Sequence, residues 1–334
     1  MVSQIRPLNA EPHPNLRQMD PARDLADIAH VIEIAFANEL SPGGHAIMRD
    51  LRMLNSFGPL VWLFSRAMPS LRDMFGGYVW IQDGKLVGNI TLTRLDELGR
   101  QWVISNVAVL PDYRRQGIAY KMMQAAIYHV QLQGGKRVQL QVRHDNQHAK
   151  ALYERLGFHH LETVTEMFCD HVYEVNFPVS SAARICKPDP QRWYDAYEVA
   201  QAAIPAAIQK IRPLRAESFR IYPRSFFERM WDRFFGNGRE RWWIEGPQGK
   251  ILALLTIERQ MNRQNERVEI LIHPLAAGYV EASLVNQLTL RLHGHWGTRL
   301  AISYKLDHAR SLLRQAGFRE LRTLDQMALE VKKF

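Results

Sequence analysis

Cysteine is scarce in this chain: two thiols, Cys169 and Cys186, in 334 residues. That excludes a disulfide scaffold and suits a reducing compartment. Long apolar runs are missing as well. The densest, Leu60–Phe64, is far short of the ~20 residues a spanning helix needs, and no basic-then-apolar leader opens the chain. These absences point to a soluble, cytoplasmic protein with no membrane association. Acidic residues are in the minority, 34 against 43 Lys and Arg, for a net charge of +9. The basic residues are dispersed rather than clustered with exposed aromatics. The surplus therefore reads as a solvated surface that also steers a polyanion, and no nucleic-acid partner is expected. Against these absences stand 46% apolar and 23% charged residues, which are globular values. The length suggests two domains rather than one core.

The most informative stretch is Val103–Phe158. Pro111 ends a run of strand character, because it has no amide proton. Arg114-Arg115-Gln116-Gly117-Ile118-Ala119 follows. Ile118, Met122, Ala126 and Val130 then recur every four residues, with Ala119, Met123 and Ile127 beside them, which makes one apolar helix face. The loop therefore sits at a helix N-terminus, where unpaired amides and the positive dipole end favour a phosphate. Gly117 allows close backbone approach, and Arg114 and Arg115 add guanidinium charge suited to phosphate. The same residues would also serve as an ordinary strand-to-helix turn with solvated arginines. Further on, Val138, Leu140 and Val142 alternate with polar residues as a strand. Asp145-Asn146 caps a helix with Ala149, Leu152, Tyr153 and Leu156 on one face, and Gly157 is placed to end it. Asn146 and Tyr153, about two turns apart, share a side of that helix.

Val103–Phe158 resembles the acetyl-CoA-binding core of the GNAT (GCN5-related N-acetyltransferase) superfamily. The family's loop signature, Arg/Gln-x-x-Gly-x-Gly/Ala, is matched by Arg114–Ala119. Its later segment is matched by Asn146 and then Ala149-Lys150-Ala151-Leu152-Tyr153-Glu154-Arg155-Leu156-Gly157-Phe158. Residues 75–170 carry the match. The resemblance implies an α/β fold with a mixed, mostly antiparallel central sheet, helices on its faces and a V-shaped splay between the two central strands. It implies acetyl-CoA as co-substrate, with no metal. The loop amides of Arg115, Gln116, Gly117, Ile118 and Ala119, flanked by Arg114, would hold the CoA pyrophosphate. The strand Asn106–Val109 would splay at a bulge and offer the backbone of Val107, Ala108 and Val109 to the pantetheine arm. Asn146 would hydrogen-bond the arm, and Tyr153 would protonate the leaving thiolate. A core tyrosine with a satisfied hydroxyl is the other reading of Tyr153. No general base is evident: Asp96, Glu97 and Glu166 are candidates, as is a water relay. No cysteine lies in the motifs, so transfer to a small-molecule or peptide amine would be direct. A non-catalytic acyl-CoA sensor or scaffold is the alternative.

Elsewhere, Ser3–Leu8 reads as a first strand. Asp20-Pro21 opens a helix to about Glu39, and a second helical region covers 45–74. By the resemblance it would wall the acceptor site with Met53, Phe57, Trp62, Phe64 and Met68. Tyr78–Gln82 and Leu86–Arg94 form a hairpin around Asp83-Gly84, and Leu161–Val175 would supply the closing strands. His144, His148, His159 and His160 lack a third ligand and read as non-metal. A linker, residues 177–190, separates a catalytic domain, 1–176, from a second copy, 191–334. Asp189-Pro190 echoes Asp20-Pro21, Trp243-Ile244-Glu245 echoes Trp80-Ile81-Gln82, and His308-Ala309-Arg310-Ser311-Leu312 echoes His148-Ala149-Lys150-Ala151-Leu152. The second copy lacks the arginine pair after Pro274, and Leu306 and Leu313 replace Asn146 and Tyr153. Matching prolines are offset by 163 and matching histidines by 160, so about three residues are lost, which the sequence alone assigns to the loop. This copy is expected not to catalyse or bind CoA, and instead to cover the acceptor site or form a homodimer contact.

Overall fold

The computed structural model describes residues 13–37, 76–211, 213–220, 238–259 and 267–332. In chain order the first elements are β1 (Leu16–Gln18), α1 (Pro21–Ala35), β2 (Gly77–Gln82), β3 (Lys85–Arg94), β4 (Gln101–Val109), α2 (Ile118–Leu132), β5 (Arg137–Arg143), α3 (Gln147–Arg155) and β6 (His159–His171). There follow β7 (Arg184–Cys186), α4 (Trp193–Ala203), α5 (Ala206–Ile211), β8 (Gly238–Glu245), β9 (Ile251–Arg259), β10 (Arg267–Ile272), α6 (Glu281–Leu292), β11 (Trp296–Ser303), α7 (Asp307–Gln315) and β12 (Arg319–Glu330). Apart from the short α5, the second series repeats the first element by element. The expected strand at Ser3–Leu8, the helical region 45–74 and the wall residues Met53, Phe57, Trp62, Phe64 and Met68 lie outside the described residues.

The chain divides into two units. Unit 1 comprises the residues up to Val142, Asn146–His160, and those from Met327 onward. Its strands run in the order β1-β2-β3-β4-β5, followed by the end of β12. β1 to β4 pair antiparallel, whereas β4 pairs with β5 in parallel. The β2–β3 turn places Asp83 and Gly84 at φ 50° and 74°, a left-handed pair that suits a two-residue hairpin. Successive strand residues face opposite ways. Trp80, Val87, Ile90 and Ile104 pack with Met122, Met123, Ala126 and Val130 of α2, while Val79, Leu86 and Ala108 pack with Ile28, Val31 and Ile32 of α1; β3 slips by one residue against β2 at Val87, which breaks the alternation and puts Val87 and Ile90 on one face. Each such buried side chain is worth roughly 1.5–3 kcal/mol against exposure.

The sequence assigns Leu161–Val175 to the first half as its closing strands. The structure closes unit 1 with the end of the chain instead. Met327 and Leu329 are buried in its core, the Val331 amide donates to the Lys136 carbonyl at 2.8 Å, and Arg137 Nε donates to Glu330 at 2.7 Å. β6 beyond His160 belongs to unit 2, which comprises Arg143–Asp145 and Leu161–Gln326. There β6 pairs antiparallel with β11 from His171↔Trp296 to Val164↔Ser303, and Met167 and Cys169 enter that unit's core. An alternating strand fits any sheet of matching polarity, so its pattern does not name its partner.

The three missing residues are also placed differently. Ile118 lies as far from Pro111 as Glu281 does from Pro274, so the loop keeps its length. The loss falls in the helix: α2 has 15 residues and α6 has 12.

Candidate active site

One cavity of unit 1, about 670 Å³, gathers most of the residues the motifs single out. β4 supplies Val107, Ala108 and Val109. The loop supplies Arg114, Arg115 and Gly117, and the first turn of α2 supplies Ile118 and Ala119. α3 supplies Asn146 and Tyr153. Gln116 is the exception. It is exposed and turned back, its Nε2 donating to the Asp112 carbonyl at 3.4 Å.

The local backbone explains the convergence. β4 pairs with β5 only over Gln101–Val103, and beyond that the two parallel strands part. On β4's other side, Asn106 and Val107 together oppose the single residue Ile90, a bulge marked by the register shift between Asn89 and Thr91. Asn106 there has φ 51°. A short 3-10 turn, Pro111–Tyr113, ends the strand. Arg115 at φ 64° and Gly117 at φ 77° then bend the chain into α2. Gly117 is the N-cap and provides no side-chain cap. A Cβ built there would meet nothing within 4 Å, so the demand for glycine comes from φ, not from crowding. Among the described residues, the amides of Arg115–Ala119 donate to no protein acceptor. The result is an open set of donors at a helix's positive end.

The side chains refine this picture. Arg114 Nε donates to the Val109 carbonyl at 3.0 Å, and the Asn106 carbonyl accepts from Asn89 Nδ2 at 3.2 Å. Of the backbone groups expected to face a ligand, the Val109 carbonyl is thus already hydrogen-bonded within the protein. Arg115 lies 3.3 Å from His148 Nε2. Asn146 caps α3, its Oδ1 accepting from the Ala149 amide at 3.1 Å; the cap uses the carbonyl and not the NH₂. Tyr153 is 6% exposed, and burial pushes its hydroxyl up to about 12. It is therefore a neutral donor across the physiological range.

The sequence reading missed Ala35 and Phe36 at the end of α1, Tyr113 and Tyr120 beside the loop, and His148, Leu152 and Arg155 on α3, all of which line the cavity. The last three carry a signal in their spacing: they run one stripe over from Asn146, Ala149 and Tyr153 on the same helix. Arg155 also lies over the Tyr120 ring at 5.1 Å. Among the described residues the lining holds no Asp or Glu, so the rim is cationic and suits a polyanion. None of the three base candidates lines it. Asp96 Oδ1 accepts from the Gln101 amide at 2.8 Å, and Glu97 is exposed. Glu166, in unit 2, is ion-paired to Arg322 at 2.8 Å.

Unit 2 repeats the elements without this site. Gly278 keeps a positive φ of 93°, matching Arg115, but Val280 stands at Gly117's position with φ −103°. The first residue of α6, Glu281, is 1% exposed, and its Oε1 accepts from the Gly278 amide at 2.6 Å. A carboxylate of the chain itself thus occupies the helix end. Leu306 caps α7 with no side-chain bond, and Leu313 is fully buried.

The splayed strands, the left-handed loop and the helix carrying Tyr153 meet in one site, and comparison with known proteins gives the family of the segment that builds it. Residues 49–158 match the Acetyltransferase (GNAT) family, which puts this segment of the chain in the GNAT superfamily. It is 40% identical over 78 residues to the [ribosomal protein bS18]-alanine N-acetyltransferase of Escherichia coli K12, covering 23% of this chain and 50% of that protein. It is 30% identical over 103 residues to an N-alpha-acetyltransferase of Saccharolobus solfataricus, covering 28% and 62%. The chain thus spans about half the length of the curated relatives it matches first. Over its whole length it shares the fold of a GCN5-related N-acetyltransferase from Sphaerobacter thermophilus, with a TM-score of 0.55 at 15% identity, covering 96% of this chain and 98% of that one. Among the described residues no helix is long and apolar enough to cross a membrane.

Proposed function

We propose that this protein is an acyl-CoA-dependent N-acyltransferase of the cytoplasm, moving acetyl from acetyl-CoA directly to a primary amine. The observation that carries this reading is the meeting, in one cation-rimmed cavity, of unpaired loop amides, a splayed strand and a buried neutral tyrosine. The amides of Arg115–Ala119 hold the pyrophosphate, with Arg114 and Arg115 adding positive field. The backbone of Val107–Val109 and the Asn146 amide align the pantetheine arm. The amine nitrogen attacks the thioester carbonyl, the C–S bond breaks, and Tyr153 gives its proton to the departing sulfur. The ammonium formed on the product side loses its proton through water, which also restores the phenol. Most of the acceleration comes from holding amine and thioester together. No step takes a metal.

The acceptor is a small-molecule or peptide amine. The relatives' names specify a ribosomal-protein alanine and N-alpha amino groups, so peptides with free N-termini head the panel, ahead of lysine, polyamines and free amino acids. The 191–334 copy is non-catalytic in this reading, its loop already holding the Glu281 carboxylate. The test is thiol release from acetyl-CoA across that panel, for wild type and Tyr153→Phe. The expected result is turnover with at least one amine and a fall of about 10²–10⁴-fold in the variant. Tight acetyl-CoA binding with no product from any amine would replace the enzyme with a sensor.

A further inference from the structure

The two units differ at one place that the motifs do not touch. In unit 1, Asn89 lies on β3 opposite Ala108, at the edge of the β4 bulge. It is 0% exposed. Its Nδ2 donates to the Asn106 carbonyl at 3.2 Å, while its Oδ1 is buried with no partner among the described residues. A buried acceptor left unmatched is destabilising, and such groups call for an explanation. In unit 2 the register sets Leu254 opposite Leu271, the position equivalent to Asn89 opposite Ala108. There the β9–β10 ladder runs unbroken, from Arg267↔Glu258 to Ile272↔Ala253. One chain thus holds both arrangements. With an asparagine the strand bulges and Asn106 turns to φ 51°; with a leucine it stays regular.

We propose that Asn89 is a positioning residue, which by holding the Asn106 carbonyl keeps the bulge in β4 and so aims the Val107–Val109 backbone at the acyl-thioester. The logic is steric and electronic. An αL conformation at a non-glycine residue needs its surroundings to over-determine it. A donor buried beneath the sheet, aimed at that residue's carbonyl, does so from one side, and the Asn106 Nδ2 bond to Thr91 Oγ1 at 3.2 Å ties it from the other. Deleting the buried amide leaves the regular ladder as the alternative, the state unit 2 adopts. The backbone groups of Val107 and Ala108 would then turn by one residue, from the ligand into the sheet.

This inference rests on the acetyl-CoA reading above for its functional half, and the experiment separates the two. Asn89→Leu copies unit 2. Hydrogen–deuterium exchange over residues 103–110 reads the bulge whether or not any thioester binds, and it is expected to slow by at least tenfold in the variant. The melting temperature is expected to hold or rise, since the unmatched oxygen is gone. Acetyl-CoA affinity is expected to fall about tenfold or more. A residue with a merely structural role would lower the melting temperature and leave the affinity of the folded protein alone. Adding Asn106→Gly, which takes φ 51° without strain, is expected to restore at least a third of the lost affinity to Asn89→Leu. Should Asn89→Leu not fold, Asn106→Val forces the same backbone change from an exposed position and is expected to show the same loss. Unchanged exchange in Asn89→Leu, failure of the glycine rescue, or full affinity in Asn106→Val overturns the proposal. A wild-type protein that binds no acetyl-CoA, with the exchange result intact, overturns only the reading of the ligand.

Discussion

Tyr153 carries the sharpest consequences of any residue. Its phenol is raised to about 12 by burial, so it stays protonated in the folded protein well above the pH at which a free tyrosine ionises. The rate profile for acetyl transfer is therefore expected to show no alkaline fall from this group below about pH 10; a limb that disappears in Tyr153→Phe and lies near pH 8 would contradict it. The linkage has a definite sign. Below the unfolded value near 10 both states hold the proton and Tyr153 costs nothing. As pH rises from about 10 to 12 the unfolded chain ionises first, so native stability is lost, by up to ~2–3 kcal/mol at 1.36 kcal/mol per pKa unit. Denaturant titrations at pH 9 and 11.5 on wild type and Tyr153→Phe would measure this, the variant losing less between the two. Gly117 gives a second prediction. Its Cβ direction is open, so Gly117→Ala pays only for a left-handed alanine, about 1 kcal/mol, and folds. A methyl among the loop amides nevertheless stands where the proposed pyrophosphate lies. Acetyl-CoA affinity by calorimetry is expected to drop at least tenfold, and an unchanged value would remove the diphosphate from this loop.

At the scale of elements, the loop and its helix act together. The helix end supplies field and donors; the loop's two left-handed residues turn those donors outward. Unit 2 shows what happens when the same pair is repurposed: Val280 replaces the glycine N-cap, and Glu281 fills the anion position from within the chain. Isothermal titration is therefore expected to give one acetyl-CoA per chain. A stoichiometry near two would show that unit 2's loop still opens. Most of this level could be read from the sequence, since strand, turn and helix patterns are local and the glycine and arginines stand at fixed offsets. The side chains within the site could not. That Arg114 would bend back onto the Val109 carbonyl, that Gln116 would turn to Asp112, or that Glu166 would be committed to Arg322 depends on groups far apart in the chain or on rotamers that no spacing specifies.

For the molecule as a whole, the last strand matters most. Met327 and Leu329 sit in the core of unit 1 at 1% and 7% exposure, beside residues nearly two hundred positions earlier. Removing residues 319–334 would uncover Val138, Leu140 and Phe158 and leave β5 without its neighbour. At roughly 1.5–3 kcal/mol for each large buried side chain lost, Met327 and Leu329 alone are worth a substantial part of a domain's usual 5–15 kcal/mol. A chain ending at 318 is therefore expected to be insoluble or to melt at least 10 °C lower in circular dichroism. Residues 1–176 alone are expected to behave likewise, and a stable, acetyl-CoA-binding 1–176 fragment would refute the assignment.

The sequence by itself determined the repeated order of elements, the cation-bearing loop at the head of α2, and the loss of its equivalents in the second copy. All of these rest on short-range periodicity and on residue types with narrow conformational or chemical uses. Only the tertiary structure decided which strand closes which unit, that the shortened element is α6 rather than the loop, and that a buried asparagine underlies the bulge in β4. The reason is that sheet pairing joins residues at any separation. Its energy lies in register and burial across strands, and a one-dimensional pattern of apolar and polar residues leaves the partner unspecified.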